Sequence, residues 1–280
     1  MTSPAAAQRR PRRRIRTVLT IAASDSGGGA GIQADLKTIA ALGLHGATAL
    51  TAVTVQDTRR VYAVEPVSVL FLRRQIDAVF ADLRPAAVKI GVLHDGARIR
   101  AVARALKRWR ARNVVLDPVL AASAGQRLLS DRAIPILRRV LLPLCDVVTP
   151  NLPEAEILAG LPIRTDADRR EAARRLHAMG AGAVLIKGGH GRGRVVCDLL
   201  FDGRTYRELR HPRVATRATH GTGCVLSASI AAALALGRSI PRAVAEAIAQ
   251  VDAGLRAGRY PGAGRGILAA PARRNSRSRG

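Results

Sequence analysis

The residues Thr219-His220-Gly221-Thr222-Gly223-Cys224 run straight into an apolar stretch, Val225 to Leu236. A Gly-Thr-Gly turn at a helix start aims several unpaired backbone N–H groups at one point, with the positive end of the helix dipole behind them. Such a turn is a hole for an anion. Cys224 falls in the first turn, where the dipole and the absence of neighbouring acid in the sequence favour a thiolate able to take a proton from a hydroxyl group. The competing reading is a small buried hydrophobe, which is how Cys145 and Cys197 read in their apolar strand contexts.

A second glycine-rich turn, Ser24-Asp25-Ser26-Gly27-Gly28-Gly29-Ala30-Gly31, leads into Ile32-Gln33-Ala34-Asp35. It is neither known phosphate loop. The dinucleotide fingerprint needs a glycine where Ile32 stands, and no G-x-x-x-x-G-K-[ST] occurs in the chain. What it offers is backbone free to approach a small ligand, with Asp35 one turn into the helix. Taken alone, Asp35 reads as a complement to the helix dipole.

Two further clusters are Thr149-Pro150-Asn151-Leu152-Pro153-Glu154-Ala155-Glu156 and Leu185-Ile186-Lys187-Gly188-Gly189-His190. Lysine occurs only at 37, 89, 107 and 187 in a chain that otherwise uses arginine. Lys89 and Lys187 lie at strand ends, where an ammonium can reach a phosphate as a point charge. Glu154 could hold a hydrated Mg²⁺, an ion that needs only one or two carboxylates when water and phosphate complete its shell. His45, His94, His177, His190, His211 and His220 show no metal-ligand spacing and read as turn or surface residues.

These groups must be positioned by a scaffold, and the chain alternates short β-branched runs with longer Ala/Leu/Arg segments of helical period. That is the pattern of βα units around a mostly parallel sheet, an α/β fold. Strands are predicted at 17–23, 47–55, 87–90, 114–117, 147–149, 183–187 and 194–201. Helices are predicted at 31–42, 70–82, 97–110, 133–140, 152–158, 166–179, 223–236 and 241–258. Asp25, Gly91, Asp117, Asn151, Lys187 and Gly188 all fall at or just after a strand end. In an open parallel sheet this places them along one edge, where ligands bind. No linker divides the series and no internal period recurs, so residues 17–270 read as one domain.

The 46 Lys and Arg outnumber the 20 Asp and Glu, for a net charge of +26. This charge raises nucleic acid, membrane surfaces and phosphate-rich ligands as partners. Aromatic residues make up only 2% of the chain, too few to interleave stacking platforms with the basic residues. The basic ends, residues 1–16 and 271–280, are expected to be disordered tails, because they hold almost no apolar residues to offset ordering entropy. An organellar transit peptide is the alternative for residues 1–16, opposed by Pro4 and Pro11. No run of about 18 apolar residues is present to span a membrane, and the three scattered cysteines form neither a zinc ribbon nor a disulfide framework. A reducing, cytoplasmic setting fits.

The sequence resembles the hydroxymethylpyrimidine/phosphomethylpyrimidine kinases of thiamine biosynthesis, a branch of the ribokinase-like family. The motifs that carry the resemblance are TIAASDSGGGAGIQADLKT (20–38), TAVTVQDT (51–58), VKIGVL (88–93), VVLDPV (114–119), TPNLPEAE (149–156), IKGGH (186–190) and THGTGC (219–224). Most ribokinase-like enzymes end the last motif in Asp, so Cys224 points to this branch. The resemblance implies a ribokinase-like α/β fold, a mostly parallel central sheet with helices on both faces. It also implies ATP and Mg²⁺ as cofactors, a small-molecule pyrimidine substrate, a cytoplasmic homodimer, and no specific nucleic-acid or membrane partner.

Carried over residue by residue, the resemblance makes Gly221, Thr222 and Gly223 the hole for the transferred phosphoryl group and Cys224 the base. Gln56 is the reader of the pyrimidine edge, with Ala23, Asp35, Val92 and Val119 lining the same pocket. Many members have Gly and Met where Ala23 and Val92 stand. Asp117, Glu154, Lys187 and Asn151 serve the nucleotide phosphates, and Asp117 and Glu154 the Mg²⁺. Pyridoxal or pyridoxine, also flat heteroaromatics with a hydroxymethyl arm, are the nearest alternative substrates. A basic nucleic-acid-binding protein is the alternative from another class and rests on charge alone.

Overall fold

The computed structural model describes residues 15–122, 125–189 and 193–269. Residues 1–14 of the tail expected at 1–16, the tail expected at 271–280, and His190 lie outside the described residues. Arg16, assigned to the N-terminal tail from sequence, belongs to the folded body. Its Nη1 donates to the Ala235 carbonyl at 2.6 Å, and its carbonyl accepts from the His45 N–H at 3.0 Å.

Nine strands form one sheet in the order β3-β2-β1-β4-β5-β6-β7-β8-β9. The strands are β1 (Thr17–Asp25), β2 (His45–Gln56), β3 (Val61–Pro66), β4 (Ala87–Ile90), β5 (Val114–Leu116), β6 (Val147–Val148), β7 (Val184–Ile186), β8 (Val195–Phe201) and β9 (Tyr206–Pro212). The run from β2 to β7 is parallel, while β3 at one edge and β8 and β9 at the other are antiparallel. The mostly parallel α/β expectation is met, and β3 and β9 are additions to it.

Helices cover both faces, so the central strands are apolar on both sides. Along β1, Val18 faces one core and Leu19 and Ile21 the other; along β5, Val115 opposes Val114 and Leu116 in the same way. One core holds α2 (Val69–Leu83), α3 (Gly96–Arg108), α5 (Leu152–Ala159) and α6 (Asp166–Ala178). The other holds α1 (Gly31–Ala41), α7 (Thr222–Ala235) and α8 (Ile240–Arg256). Every residue of α7 from Val225 to Ala235 is buried. Small side chains allow such close packing of a helix apolar all round.

The helix expected at 133–140 is irregular. A 3₁₀ turn (Asp131–Ala133), the single α turn α4 (Ile134–Ile136), a π turn (Leu137–Leu141) and a second 3₁₀ turn (Leu142–Leu144) follow one another. Pro135 and Pro143 bracket the segment, and each removes a backbone donor that a regular ladder would need. Cys145 follows this segment as a buried thiol off the sheet, not in a strand.

The helices differ in how they start. Asn151 with Glu154 and Thr165 with Asp168 form complete capping boxes on α5 and α6, each cap worth about 1 kcal/mol. By contrast α8 (N-cap Ser239), and α1 and α7, the helices that follow the two glycine-rich turns, have no side-chain cap. On α1 the Gly31 N–H faces the Cys224 sulfur, and on α7 the Thr222 N–H reaches back to the Thr219 carbonyl only at 3.4 Å, long enough to yield to a stronger acceptor.

Candidate active site

A cavity of about 800 Å³ opens along the edge where the parallel strands end. Ala23, Gln56, Val92, Val119, Asp117, Asn151, Glu154, Lys187 and Gly221 through Cys224 all line it. Residues scattered over two hundred positions are thereby brought together, as expected at the carboxyl ends of strands in an open α/β sheet. A register shift between Ala22 and Ser24 bends the end of β1 into the cavity wall. Asp35 is the exception among the residues expected to line the pocket.

The two glycine-rich turns meet. Gly221 caps α7 in the left-handed region at φ 80°, and a Cβ there would stand 2.0 Å from the Gly29 carbonyl oxygen. Only glycine fits such a contact and such a φ. One position into the helix, a Cβ on Gly223 would lie 3.0 Å from Asp117 Oδ2 and 3.4 Å from Lys187 Nζ. The uncapped start of α7 therefore abuts a carboxylate and an ammonium, and its N–H groups with Lys187 can receive an anion.

Lys187 Nζ donates to Asp117 Oδ1 at 2.9 Å and lies 3.8 Å from Glu154 Oε2. Glu154 Oε2 also accepts from the Asn151 N–H at 2.8 Å, which completes the α5 capping box. Burial is the largest influence on Glu154 and, with the charge of Asp117, pushes its pKa up to about 7 against the opposing pull of Lys187. Two carboxylates with one ammonium between them are short of cation. Among the described residues no group of three or more His, Cys, Asp or Glu could by itself hold a metal ion. The pair Asp117 and Glu154 nevertheless suits Mg²⁺, which takes one or two carboxylates and fills its shell with water and phosphate.

Asp35 lies beneath the cavity floor. It is fully buried, bound to Lys89 Nζ at 2.8 Å and to the Thr20 hydroxyl at 2.6 Å. Both the pocket-lining expectation and the dipole reading of Asp35 give way to this ion pair. Lys89 is likewise fully buried and is spent on Asp35 rather than reaching out to a phosphate. Burial alone would depress the Lys89 pKa, but Asp35, Cys224 and Asp117 together hold it above the ordinary lysine value.

Cys224 keeps some surface toward the cavity and is otherwise enclosed by protein. Its thiol is pushed up to about 11, by burial first; Asp35 and Asp117 add to the rise and Lys89 opposes it. Burial and the two carboxylates thus work against the thiolate expected from the sequence. The acids absent from the neighbouring sequence arrive through the fold, Asp117 from just past β5 and Asp35 from α1.

Two histidines read as turn or surface residues belong to the site. His220 Nε2 lies 3.1 Å from Asp25 Oδ2 and 3.3 Å from the side-chain amide of Gln56. His211, on β9, lies 3.1 Å from Asp252 of α8 and 3.5 Å from Asp198 of β8, and the two carboxylates raise its pKa against the effect of burial. Both histidines line the cavity. Their partners are far off in sequence, which local spacing could not reveal.

A sequence model of the family described as phosphomethylpyrimidine kinase matches residues 25–269. The hydroxymethylpyrimidine/phosphomethylpyrimidine kinase of Rhizobium meliloti is 52% identical over 217 residues, 76% of this chain and 80% of that protein. Among solved structures, the ADP complex of Bacillus subtilis pyridoxal kinase superposes with a TM-score of 0.86 at 35% identity, covering 92% of this chain and 98% of the other. A phosphomethylpyrimidine kinase from Clostridium difficile 630 gives 0.76 at 38% identity over 85% and 98%.

Proposed function

The chain belongs to the phosphomethylpyrimidine kinase family and is a kinase, and on that premise we propose that it phosphorylates 4-amino-5-hydroxymethyl-2-methylpyrimidine and then its monophosphate, at the expense of ATP, for thiamine biosynthesis. The observation that carries this reading is the uncapped start of α7 abutting Lys187 and Asp117, in the same cavity as Gln56. One end neutralises phosphate, and the other presents an amide that can both donate to and accept from an aminopyrimidine edge.

In the transfer, the substrate hydroxyl oxygen forms a bond to the γ-phosphorus while the bond to the β–γ bridging oxygen breaks and ADP leaves. The N–H groups of Gly221, Thr222 and Gly223 and the ammonium of Lys187 stabilise charge on the moving phosphoryl group. Cys224 can take the hydroxyl proton only after its own thiol proton has passed to solvent, and the ammonium of Lys89 offsets part of what burial costs the thiolate so formed. In a loose transition state the hydroxyl proton leaves late, so the sulfur first orients the hydroxyl. Asp117 and Glu154 would hold Mg²⁺, which when bound neutralises the ATP phosphates; Asn151 holds Glu154 in place.

Pyridoxal is the second reading, favoured by the superposition on a pyridoxal kinase. Among the described residues no helix is long and apolar enough to cross a membrane. A cytoplasmic homodimer is the setting that we propose with this function. The purified chain, MgATP and each of hydroxymethylpyrimidine, its monophosphate and pyridoxal, with products identified by mass, test the reading. Phosphorylation of pyridoxal alone would replace it by the second, and no turnover of any would overturn both.

A further inference from the structure

The donors and acceptors around Gln56 can be counted, and the count is restrictive. Asp25 is buried, its carboxylate accepting from the N–H groups of Gly27, Gly29 and Ala30 at 2.7–3.0 Å. Burial opposes its charge, but the hydrogen bonds from His220 and the backbone outweigh burial and keep Asp25 below the usual carboxylate range. An ionised carboxylate only accepts. His220 Nε2, 3.1 Å from Asp25 Oδ2, must therefore carry a hydrogen, whether the ring is neutral or protonated. On the other side of the amide, the Thr54 hydroxyl donates its one proton to the Ser24 carbonyl at 2.9 Å. The same hydroxyl lies 3.3 Å from the Gln56 Oε1 position. With its proton on Ser24 it can only accept there, which calls for the amide turned over so that its NH₂ faces Thr54.

As oriented, the amide of Gln56 sets its NH₂ 3.3 Å from His220 Nε2, a nitrogen whose hydrogen leaves it no lone pair to accept with. Turned over, the amide oxygen shares the Nε2–H with Asp25 in a bifurcated bond and the NH₂ meets the acceptor Thr54 Oγ1. The oxygen and nitrogen of an amide are told apart by their hydrogen bonds, and both neighbours assign them the same way. We infer that His220 is a positioning residue, which with Thr54 locks the Gln56 carbonyl oxygen toward the imidazole and the NH₂ toward the threonine and so decides substrate specificity. One amide N–H and one oxygen lone pair remain for a ligand, in a fixed order. An edge with a ring nitrogen beside an exocyclic amine matches that order; an edge with no amine to donate leaves the oxygen unpaired. The inference rests on the pyrimidine kinase reading, and the experiment separates the two.

The wild type is first assayed with MgATP and hydroxymethylpyrimidine; lack of turnover would sink the functional reading before His220 is tested. His220→Leu, which removes the donor, is expected to raise KM for the pyrimidine about tenfold or more, with KM for ATP within twofold. His220→Gln, which can return an N–H near the position of Nε2, is expected to recover most of that loss. The decisive ratio is kcat/KM for hydroxymethylpyrimidine over its analogue lacking the 4-amino group. The ratio should fall in His220→Leu and return in His220→Gln. Equal losses on both compounds would make His220 a structural residue and overturn the inference. Should His220→Leu fail to fold, ¹⁵N imidazole shifts of the wild type decide: a proton on Nε2 supports the lock, and a ring protonated on Nδ1 alone removes it.

Discussion

The ammonium of Lys89 lies 2.8 Å from the carboxylate of Asp35, and neither side chain has any exposed surface. Removing one charge of such a pair strands the other, which costs roughly 3–5 kcal/mol, whereas replacing both by apolar groups can cost little. Lys89→Met is therefore expected to destabilise the protein by about that amount in urea denaturation, and the double variant Lys89→Met with Asp35→Leu to recover much of it. A double variant as unstable as the single one would mean that the pair acts through Thr20 and Cys224 more than through its own charges.

Glu154 gives stability an unusual pH dependence. Its folded pKa of about 7 lies above the ordinary 4.5, so the folded chain holds this proton more tightly than the unfolded chain. The contribution is fully favourable below about pH 4.5 and is lost as pH rises to 7, a change of about 3 kcal/mol. Glu154→Gln keeps an acceptor for the Asn151 N–H and removes the titration. Its urea midpoint should gain on the wild type between pH 5 and pH 8. Parallel pH curves for the two proteins would take Glu154 out of the explanation.

Cys224→Ala is expected to lower kcat by roughly 10²–10⁴-fold, the usual worth of a general base, with ATP affinity nearly unchanged. Cys224→Asp should restore part of the loss. The thiol of the free protein, at about 11, should alkylate slowly with iodoacetamide near neutrality and much faster as the pH approaches 10. A silent alanine variant together with a damaging aspartate would identify Cys224 as a packing residue.

Gln56→Leu keeps comparable bulk and deletes both hydrogen-bonding groups, which costs about 1–3 kcal/mol at a buried polar edge. The effect should appear in the binding of the pyrimidine and not of ATP, as measured by titration calorimetry with each ligand. Equal weakening of both would show that Gln56 supports the cavity wall and does not read the ring.

The sequence made some of this legible and hid the rest for identifiable reasons. The parallel strands show because burial on both faces demands continuous β-branched runs such as Val114-Val115-Leu116. Strand β9, Tyr206-Arg207-Glu208-Leu209-Arg210-His211-Pro212, has no fully buried residue and carries charges at an antiparallel edge, so it leaves no apolar signature. Strand β3, at the other antiparallel edge, buries only Val61 and ends at Pro66, so it too leaves little apolar signature. The glycine turns were legible as local chemistry. The partners of His220, His211 and Cys224 were not, because Asp25, Asp198, Asp252 and Asp117 reach them only through the folded sheet. Asp35 shows the opposite error. Its neighbours Ala34 and Thr38 are buried beside it on α1, and helical period alone would have placed it against the sheet.

Residues near the C-terminal end of the folded body close the site begun near the N-terminal end. The Gly264 and Arg265 N–H groups donate to Thr58 at 3.0 and 2.9 Å, His220 N–H donates to the Gly266 carbonyl at 3.0 Å, and Ile267 pairs beside His220. A ribosome must therefore release nearly the whole domain before the first glycine turn acquires its far wall. Once closure occurs, ligand clamps first-made and last-made segments to each other, so its stabilisation should reach the entire domain at once rather than one region of it.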